Sequence, residues 1–427
     1  MSFRDKKSLG HFDLESTELL IRSSVHSLGS KILEAILNSD KGGYQGRTIV
    51  HKSGTSAEFK EYRNKKVQTV LGSILVKRAY YYDQKIKIGF CPKDLDLDIK
   101  RTSFSPGLRR IMARVGAYRP FGIAHDDIKE LTGITVTSKE IERVSCESGK
   151  DVNEFYENET PDNIIPFSSK ATMYICMDGT GVPVVKRETK GRKGKHKDGI
   201  AKTREAKLGC VFTQTSVDKD GYPVRDESST SYVGSIETSE EFGDRLYAEA
   251  GKRGIQKAAR TCVIGDGALW IWNLADLHFC DATQIIDIFH AREHLWEIGK
   301  VIYTTDKEKI KAWVKKRIKA LDQGEVEKVI AAIEKLSPPN EKAKEFLQRE
   351  IGYFEKNKKR MRYKTFKEQG LFIGSGVIEA GCRAVIGQRL KQSGMHWTVK
   401  NANSIIALRC CIISNRWENF WENRACA

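Results

Sequence analysis

The segment ATMYICMD, residues 171–178, constrains the fold of this chain more than any other feature. Apolar side chains occupy nearly every position, whereas a strand with one face in water alternates apolar and polar residues. A strand of this composition is buried on both faces of its sheet, and such sheets are covered by helices on both sides. The segment therefore predicts an α/β domain.

The elements predicted after this strand occur in an informative order. In chain order they are a strand at 206–218, a third strand within 222–234, a helix at 238–254 opened by a capping box, a strand at 261–267 with a helix after it, and a strand at 282–290 with a helix from about Ala291. Three strands, helix, strand, helix, strand, helix is the order of the ribonuclease H-like fold. We therefore predict a ribonuclease H-like catalytic core that begins in residues 168–303.

Residues 304–370 are strongly helical and charged. Gly324 ends one predicted helix, and Asn340 begins another after two prolines. We predict that this segment is an all-helical insertion and that residues 371–427 supply the C-terminal helices of the core.

Residues 1–100 are expected to form an N-terminal α+β region. The stretch KKVQTVLGSILVKRAYYYD, residues 65–83, is β-branched and aromatic and is broken by a glycine, which predicts a hairpin. Residues 150–168 are polar and contain two prolines, so they predict a linker.

Residues 101–160 have the outline of a helix-turn-helix. A helical pattern at 124–131 is broken by Gly133, and Thr137 opens a second helix. Many helical hairpins share this outline without binding DNA. Four arginines immediately before it favour DNA binding: Arg109, Arg110, Arg114 and Arg119.

The charge of the chain favours a polyanionic partner. Its 427 residues contain 73 Lys and Arg against 56 Asp and Glu, a formal net charge of +17, and the basic residues are clustered. Such a surplus attracts nucleic acid, whereas peptidases have no general need for it. The ten cysteines form no C-x-x-C pair, which is typical of a reducing cytoplasm and predicts no zinc finger. With no apolar signal region and no run of ~20 apolar residues, we expect a cytoplasmic protein without a membrane partner.

Three acidic residues stand out by position. Asp178 is expected to end the first core strand and Asp266 the fourth, and Glu379 lies in the first turn of the helix after the insertion. In a ribonuclease H-like sheet the first and fourth strands are adjacent and the last helix packs across their ends, so the three carboxylates would converge. Each acid also has an ordinary explanation, since Asp-Gly favours a hairpin turn and a carboxylate stabilises a helix N-terminus.

Convergent carboxylates predict a divalent-metal site. They repel one another unless cations neutralise them, and oxygen ligands alone suit Mg²⁺ or Mn²⁺. Two such ions about 3.5–4 Å apart serve the attacking and leaving oxygens in phosphodiester chemistry. We therefore predict two Mg²⁺ (or Mn²⁺) ions, with Asp178 bridging both and Asp266 and Glu379 binding one each.

Basic side chains accompany these acids. The run KRETKGRKGKHKDGIAKTRE, residues 186–205, separates the first two core strands, and further cations follow Glu379. We expect DNA phosphates to be contacted by Lys193, Lys195, Lys197, Arg204, Arg383, Arg389 and Lys391. Trp397 is a candidate for stacking on an unpaired base. A solvated loop and a core tryptophan are the alternative interpretations.

The segment HAREH, residues 290–294, matches the H-x-x-E-H signature of inverted zinc peptidases. In that alternative His290 and His294 bind zinc and Glu293 is the base. The match is short and leaves the positive charge and the other acids unexplained. A further alternative is a catalytically silent DNA-binding protein that uses the helix-turn-helix and the basic surfaces.

Several blocks of the sequence resemble one family. MDGTGVPV, IGDGALWIWNLA, IIDIFHAREHLW and GSGVIEAGCRAVIGQRLKQSGMHW resemble the ISKra-type transposases of bacterial insertion sequences, relatives of the mutator-like DDE transposases, and the resemblance covers roughly residues 100–420. It implies a catalytic DDE triad on Asp178, Asp266 and Glu379. It also implies a supporting Asp-x-x-His motif on Asp287 and His290.

The resemblance implies a function as well. Such an enzyme binds the terminal inverted repeats of its element, cleaves a DNA phosphodiester to free a 3′-hydroxyl, and transfers that hydroxyl to double-stranded target DNA. Two element ends must be held together, so at least a homodimer is expected, on the nucleoid in the bacterial cytoplasm. If His290 only begins the turn into the helix from Ala291, it need not share a helical face with His294, and His294 is then expected to face DNA.

Overall fold

The computed structural model describes residues 13–50, 54–159, 170–194 and 199–423. The chain divides into two compact units, one formed by residues 1–148 with 418–427 and one formed by residues 149–417. None of the described helices is both long enough and apolar enough to cross a membrane.

The first unit combines a small sheet with helices. Its strands are β1 (Thr48–Val50), β2 (Ser56–Thr69), β3 (Gly72–Asp83) and β4 (Ile88–Phe90), and its helices are α1 (Leu14–Asn38), α2 (Pro92–Asp96), α3 (Pro106–Tyr118), α4 (Phe121–Thr132) and the first part of α5 (Ser138–Asn158). The strands pair in the order β1-β2-β3-β4, all antiparallel. The predicted hairpin is confirmed as β2 and β3, although β2 begins nine residues earlier than the predicted segment.

The two helices expected on either side of Gly133 are α4 and α5. Gly133 ends α4 with a φ of 71°, the left-handed conformation that glycine adopts without strain. Apolar side chains from α3, α4 and α5 and their connections form one core: Phe104, Leu108, Met112, Ala124, Ile128, Ile134, Val136, Ile141 and Val144. Helix α5 continues to Asn158, so the predicted linker is wrong up to that residue. Residues 160–169 lie outside the described part.

The arginines before the helix-turn-helix outline are partly committed to contacts within the protein. Arg109 is buried and donates to the Asp98 carboxylate at 2.6 Å. Arg110 pairs with Glu418 at 2.6 Å. These contacts leave fewer free cations beside α4 than the sequence suggested.

The second unit is built on one mixed sheet. Its strands are β5 (Thr172–Pro183), β6 (Thr203–Gln214), β7 (Ser216–Val217), β8 (Pro223–Val224), β9 (Ser231–Ser235), β10 (Arg260–Gly265) and β11 (Thr283–Ile286). Five of them pair in the order β11-β10-β5-β6-β9. β5, β10 and β11 are parallel, whereas β6 and β9 run antiparallel to their neighbours. The central strand β5 is buried from Met173 to Met177, as its composition predicted.

The third predicted strand begins within residues 222–234, as expected, but only at Ser231. It is β9, which joins the sheet beside β6, whereas β8 pairs with β7 in a separate two-stranded ribbon. An Asp226 side chain that accepts hydrogen bonds from Thr213 and Thr215 occupies the connection between β8 and β9. The chain therefore turns at Asp226 and enters the sheet only from Ser231.

The second unit also contains helices. They are α6 (Ser239–Lys252), α7 (Leu269–His278), α8 (Ile288–Tyr303), α9 (Lys307–Asp322), α10 (Val326–Glu334), α11 (Glu341–Asn357), α12 (Tyr363–Glu368), α13 (Gly376–Gly381), α14 (Gln388–Leu390) and α15 (Val399–Ile413), with 3-10 turns at Lys186–Thr189, Ile255–Lys257 and Lys358–Met361 and a π-helical segment at Cys382–Gly387. The last helix, α16 (Trp417–Glu422), belongs to the first unit from Glu418 onward. The predicted capping box opens α6, and Asn340 caps α11 as expected. From residue 304 to residue 370 every regular element is helical, as the composition of that segment indicated.

Candidate active site

The first two acids lie on adjacent parallel strands. β5 and β10 pair in register up to Cys176 opposite Ile264, so two residues further on Asp178 and Asp266 come side by side. Asp266 directly follows the last residue of β10. This juxtaposition is what the predicted strand order required.

Asp178 does not end its strand, which corrects the sequence expectation. β5 continues to Pro183 and remains paired with β6, with Asp178 opposite Leu208 and Gly179 opposite Lys207. The hairpin-turn explanation of Asp178-Gly179 is therefore also wrong. The strand extends because β6 provides a partner on one side, while β10 on the other side stops at Gly265.

A tight turn holds Asp266. Its Oδ1 accepts a hydrogen bond from the backbone N–H of Ala268 at 2.7 Å. Gly267 has no room for a side chain, because a Cβ there would lie 2.3 Å from Cε2 of Tyr353 on α11. The residue after Asp266 therefore has to be glycine where the turn passes the helical insertion.

Glu379 reaches the same place from α13. Its Oε1 accepts a hydrogen bond from Ser375 Oγ at 3.0 Å. Burial raises the pKa of Asp178, and the negative charges of Asp266 and Glu379 add to the rise. Hydrogen bonds from the Cys382 thiol and from the Gly179 N–H act in the opposite direction and lower this pKa. The three acids are thus within electrostatic range of one another, although 88 and 113 positions separate them in the sequence.

Cys382 is a residue of this site that the sequence analysis missed. Its thiol donates to the Asp178 carboxylate, and burial followed by the Asp178 charge raises the pKa of the thiol. The thiol consequently stays protonated and orients Asp178. Its position three residues after Glu379 places both side chains on one helical face, which is the signal that sequence analysis could have used.

The backbone beside Glu379 and Cys382 is unusual. Cys382–Gly387 is π-helical, a local widening that is frequent at functional sites. Gly381 packs against Tyr232 of β9, and a Cβ at this glycine would lie 2.3 Å from Cε1 of the ring. The close approach places the start of the π-helical segment directly on the sheet.

Asp287 connects the elements that carry the acids. It is 1% exposed and follows β11. Its Oδ1 accepts from the His290 N–H at 2.8 Å and its Oδ2 accepts from the Ser375 N–H, while its own N–H donates to Gly265 O at 2.9 Å. Asp287 therefore fastens the loop that precedes Glu379 to the end of β10, beside Asp266.

The two histidines of the H-x-x-E-H match share a helical face, contrary to the expectation. β11 ends at Ile286 and α8 begins at Ile288, because Asp287 caps the helix three residues before His290. The Nε2 atoms of His290 and His294 are 3.3 Å apart.

His294 is held by the helical insertion. Its Nδ1 lies 2.6 Å from Oε2 of the buried Glu350, and its ring stacks on Tyr353 with centroids 3.9 Å apart. The expected contact of His294 with DNA stays a prediction, but the ring is already held on one side by these contacts within the protein. The Glu293 carboxylate lies 3.7 Å from Nδ1 of His290, on the side of the ring away from the paired Nε2 atoms.

The predicted DNA-contacting residues divide into two groups. Lys193 and Arg383 are exposed, Arg204 is partly exposed and donates to Glu188 O, and Lys391 donates to Thr180 Oγ1, two residues after Asp178. Lys195 and Lys197 lie outside the described residues.

Arg389 and Trp397 belong to the interior. Arg389 is 0% exposed and its guanidinium lies 4.9 Å from the centre of the Trp397 ring. The Trp397 indole N–H donates to Leu390 O at 3.1 Å. Burial leaves neither side chain a surface for DNA, so their predicted contacts with DNA are replaced by packing under α13 and α14.

The donor chemistry of the three acids suits a hard divalent cation, since all their ligand atoms are carboxylate oxygens. A cation would also stabilise the charged form of Asp178, whose pKa is raised by burial and further by the charges of Asp266 and Glu379. Within the described residues, however, no group of three or more His, Cys, Asp and Glu side chains already encloses one ion position.

Comparisons with known proteins add little. No family model matches the chain, and no curated protein matches it. Among solved structures, the chain is similar to the Drosophila P element transposase strand transfer complex with a TM-score of 0.27 and 9% sequence identity, over 78% of this chain and 84% of that one. At a TM-score this low the likeness carries no weight for fold or function.

Proposed function

We propose that this protein is a metal-dependent DNA strand-cleaving and strand-transferring enzyme, a transposase of the DDE type. The observation that supports it best is that Asp178 and Asp266 lie side by side on adjacent parallel strands, with the charge of Glu379 acting on Asp178. The excess of basic residues supports DNA as the substrate.

The strand order supports the more specific proposal of a ribonuclease H-like core. Numbered along the core, the sheet order is 5-4-1-2-3, with strands 1, 4 and 5 parallel and strands 2 and 3 antiparallel to their neighbours. Strands 1 and 4 are then neighbours, so Asp178 within strand 1 lies beside Asp266, which directly follows strand 4. The helices between residues 304 and 370 would be an insertion that precedes the third acid.

In the proposed reaction the three carboxylates hold two Mg²⁺ or Mn²⁺ ions. When bound, the ions activate the attacking oxygen and stabilise the leaving oxygen of the phosphodiester. Cys382 orients Asp178 through its thiol hydrogen bond, and Asp287 holds the Glu379 loop in place. Water would attack first to free a 3′-hydroxyl, which would attack target DNA at the same site.

Cations near the acids would bind the DNA backbone. Lys391 donates to Thr180, two residues after Asp178 on β5. Lys193 and Arg204 line a pocket of about 720 Å³ that Glu205, Glu237 and Glu241 also line. Such contacts position DNA without reading its sequence. Terminal inverted repeats and target DNA are the proposed substrates, and at least a homodimer is proposed because two element ends must be held together.

A strand-cleavage and strand-transfer assay with labelled DNA ends tests this function. Asp178→Asn, Asp266→Asn and Glu379→Gln are each expected to abolish Mg²⁺-dependent cleavage while leaving DNA binding intact. Glu293→Gln, an exposed acid on α8, is the matched control and is expected to keep the activity. Full cleavage by the Asp178 or Glu379 variant would contradict the proposal, and binding without cleavage by the unmutated chain would favour the silent DNA-binding alternative.

The zinc-peptidase alternative gains no support from the geometry. Its base, Glu293, is exposed and lies on the Nδ1 side of His290 rather than beside the Nε2 atoms. We expect no peptide hydrolysis by the zinc-loaded protein.

A further inference from the structure

The pair formed by His290 and His294 is not used by the proposed DNA chemistry. Both rings project from one face of α8, and their Nε2 atoms face each other at 3.3 Å. The ring planes are nearly perpendicular, at 84°, with centroids 4.9 Å apart. A convergence of two imidazole nitrogens at this distance has a specific chemical use.

We propose that His290 and His294 chelate a transition-metal ion of the Zn²⁺ class through their two Nε2 atoms. Histidine nitrogens bind Zn²⁺ at about 2.0–2.1 Å with a tetrahedral geometry, so two such ligands stand about 3.3–3.4 Å apart. The observed separation of 3.3 Å therefore allows an ion to enter with little rearrangement of either ring.

The outer nitrogen of His294 is arranged as metal-binding histidines require. Its Nδ1 lies 2.6 Å from Oε2 of Glu350, which is 8% exposed. A carboxylate only accepts hydrogen bonds, so Nδ1 carries a proton and donates it, and Nε2 is the nitrogen left to bind an ion. A buried carboxylate behind the distal nitrogen fixes the tautomer and raises the basicity of the ligand.

The rings are also fixed in place. Tyr353 stacks on His294 at 3.9 Å, and the Asp287 carboxylate caps the turn that carries His290. Both rings remain partly open to solvent, with side-chain exposures of 35% for His290 and 24% for His294. An ion can thus reach the Nε2 atoms, yet the ligands are positioned before it arrives.

Water would complete the coordination. No cluster of three or more His, Cys, Asp and Glu side chains arranged for a metal occurs in the described part of the chain. Without metal, the Nε2–H of His290 donates to Nε2 of His294. On binding, the proton that His290 holds on Nε2 moves by exchange with water to its own Nδ1, on the side of Glu293, and both Nε2 atoms coordinate the ion.

Equilibrium dialysis of the full chain against Zn²⁺, followed by metal analysis, tests the site. The protein should carry Asp178→Asn and Asp266→Asn, so that the carboxylate site does not contribute. We expect one equivalent of Zn²⁺ per chain. His290→Ala or His294→Ala should reduce the occupancy to below about one tenth at the same free Zn²⁺, because a chelate cannot form with one ligand.

Two further variants separate the chelate from other zinc binding. Glu350→Gln keeps the shape but removes the charge behind His294, and should weaken Zn²⁺ binding about 10–100-fold. His396→Ala removes an exposed histidine elsewhere and should change nothing. Circular dichroism of each variant checks that it is folded.

The inference is overturned if the protein that carries only the two aspartate substitutions binds no Zn²⁺. It is also overturned if the two histidine variants bind Zn²⁺ as well as that protein does. In either case the pair is a hydrogen bond alone. Dialysis uses no DNA, so failure of the proposed transposase activity would leave this result unaffected. Conversely, a chain that binds no Zn²⁺ would keep its Mg²⁺-dependent cleavage.

Discussion

The contacts of Asp287 determine how much its replacement should lower the stability of the protein. The side chain is 1% exposed and accepts two backbone hydrogen bonds, one from His290 and one from Ser375. A hydrogen bond to an ionised group contributes about 1.5–3 kcal/mol, and a buried N–H left without a partner costs a similar amount. Asp287→Ala removes both acceptors at once, so we expect it to lower the free energy of unfolding by about 3–5 kcal/mol.

Urea denaturation followed by circular dichroism measures this change. Asn340→Ala is the matched control: Asn340 also caps a helix, α11, but it is exposed and accepts only one N–H, from Ala343 at 2.9 Å. The control should cost about 1 kcal/mol. Equal destabilisation by the two variants would refute the idea that Asp287 joins two elements rather than capping one helix.

The same residue predicts a separate effect on activity. Asp287→Asn keeps one acceptor oxygen but places an NH₂ group against the second N–H, so Ser375 loses its tether and Glu379 loses its position. We expect the folded Asp287→Asn protein to bind Mg²⁺ more weakly, so that DNA cleavage reaches half-saturation at a higher Mg²⁺ concentration. An unchanged Mg²⁺ titration would show that Glu379 is positioned by other contacts.

Three further outcomes are expected. Because the pKa of Asp178 is raised in the folded state, the folded chain holds this proton more tightly than the unfolded chain, and stability falls as pH rises from the ordinary value of 3.8 through the folded pKa. At a pH above that range, in metal-free buffer, Asp178→Asn should therefore raise the melting temperature measured by differential scanning calorimetry. An unchanged or lower melting temperature would contradict this expectation. Gly381→Ala should cost about 1–3 kcal/mol in urea denaturation, since its Cβ would lie 2.3 Å from the Tyr232 ring, whereas a neutral result would mean that the ring moves freely. Lys193→Ala should weaken DNA binding and reduce the steepness of log affinity against log salt by about 1, because Lys193 is exposed. Arg389→Met should instead destabilise the fold, because Arg389 is buried. A loss of DNA binding with unchanged stability in Arg389→Met would mean that Arg389 contacts the DNA.

Local patterns in the sequence were sufficient to predict the type of most elements. The continuous apolar run of β5, the capping box of α6, the Asn340 cap of α11 and the glycine that ends α4 all act within a few residues, so they can be read without knowledge of the fold. The juxtaposition of Asp178 and Asp266 also followed from the sequence, because an assumed order of strands places the ends of two parallel strands together.

The errors occurred where a distant partner decides the outcome. β5 runs past Asp178 because β6 pairs with it up to Pro183, and no feature of the Asp178-Gly179 dipeptide reveals that pairing. α8 begins at Ile288 because Asp287 is anchored to the loop at Ser375, far along the chain. Arg389 looks like a surface cation in the sequence, yet it is fully buried against Trp397.

By itself, the amino-acid sequence determined the elements, their order and the acids worth comparing, since hydrophobic periodicity and helix caps depend on neighbouring residues. Only the tertiary structure decided that Cys382 donates to Asp178 and that Glu350 fixes His294. It also decided that two histidines four residues apart bring their Nε2 atoms within 3.3 Å. These contacts depend on which surfaces pack together, and packing is a property of the whole chain that no local pattern contains.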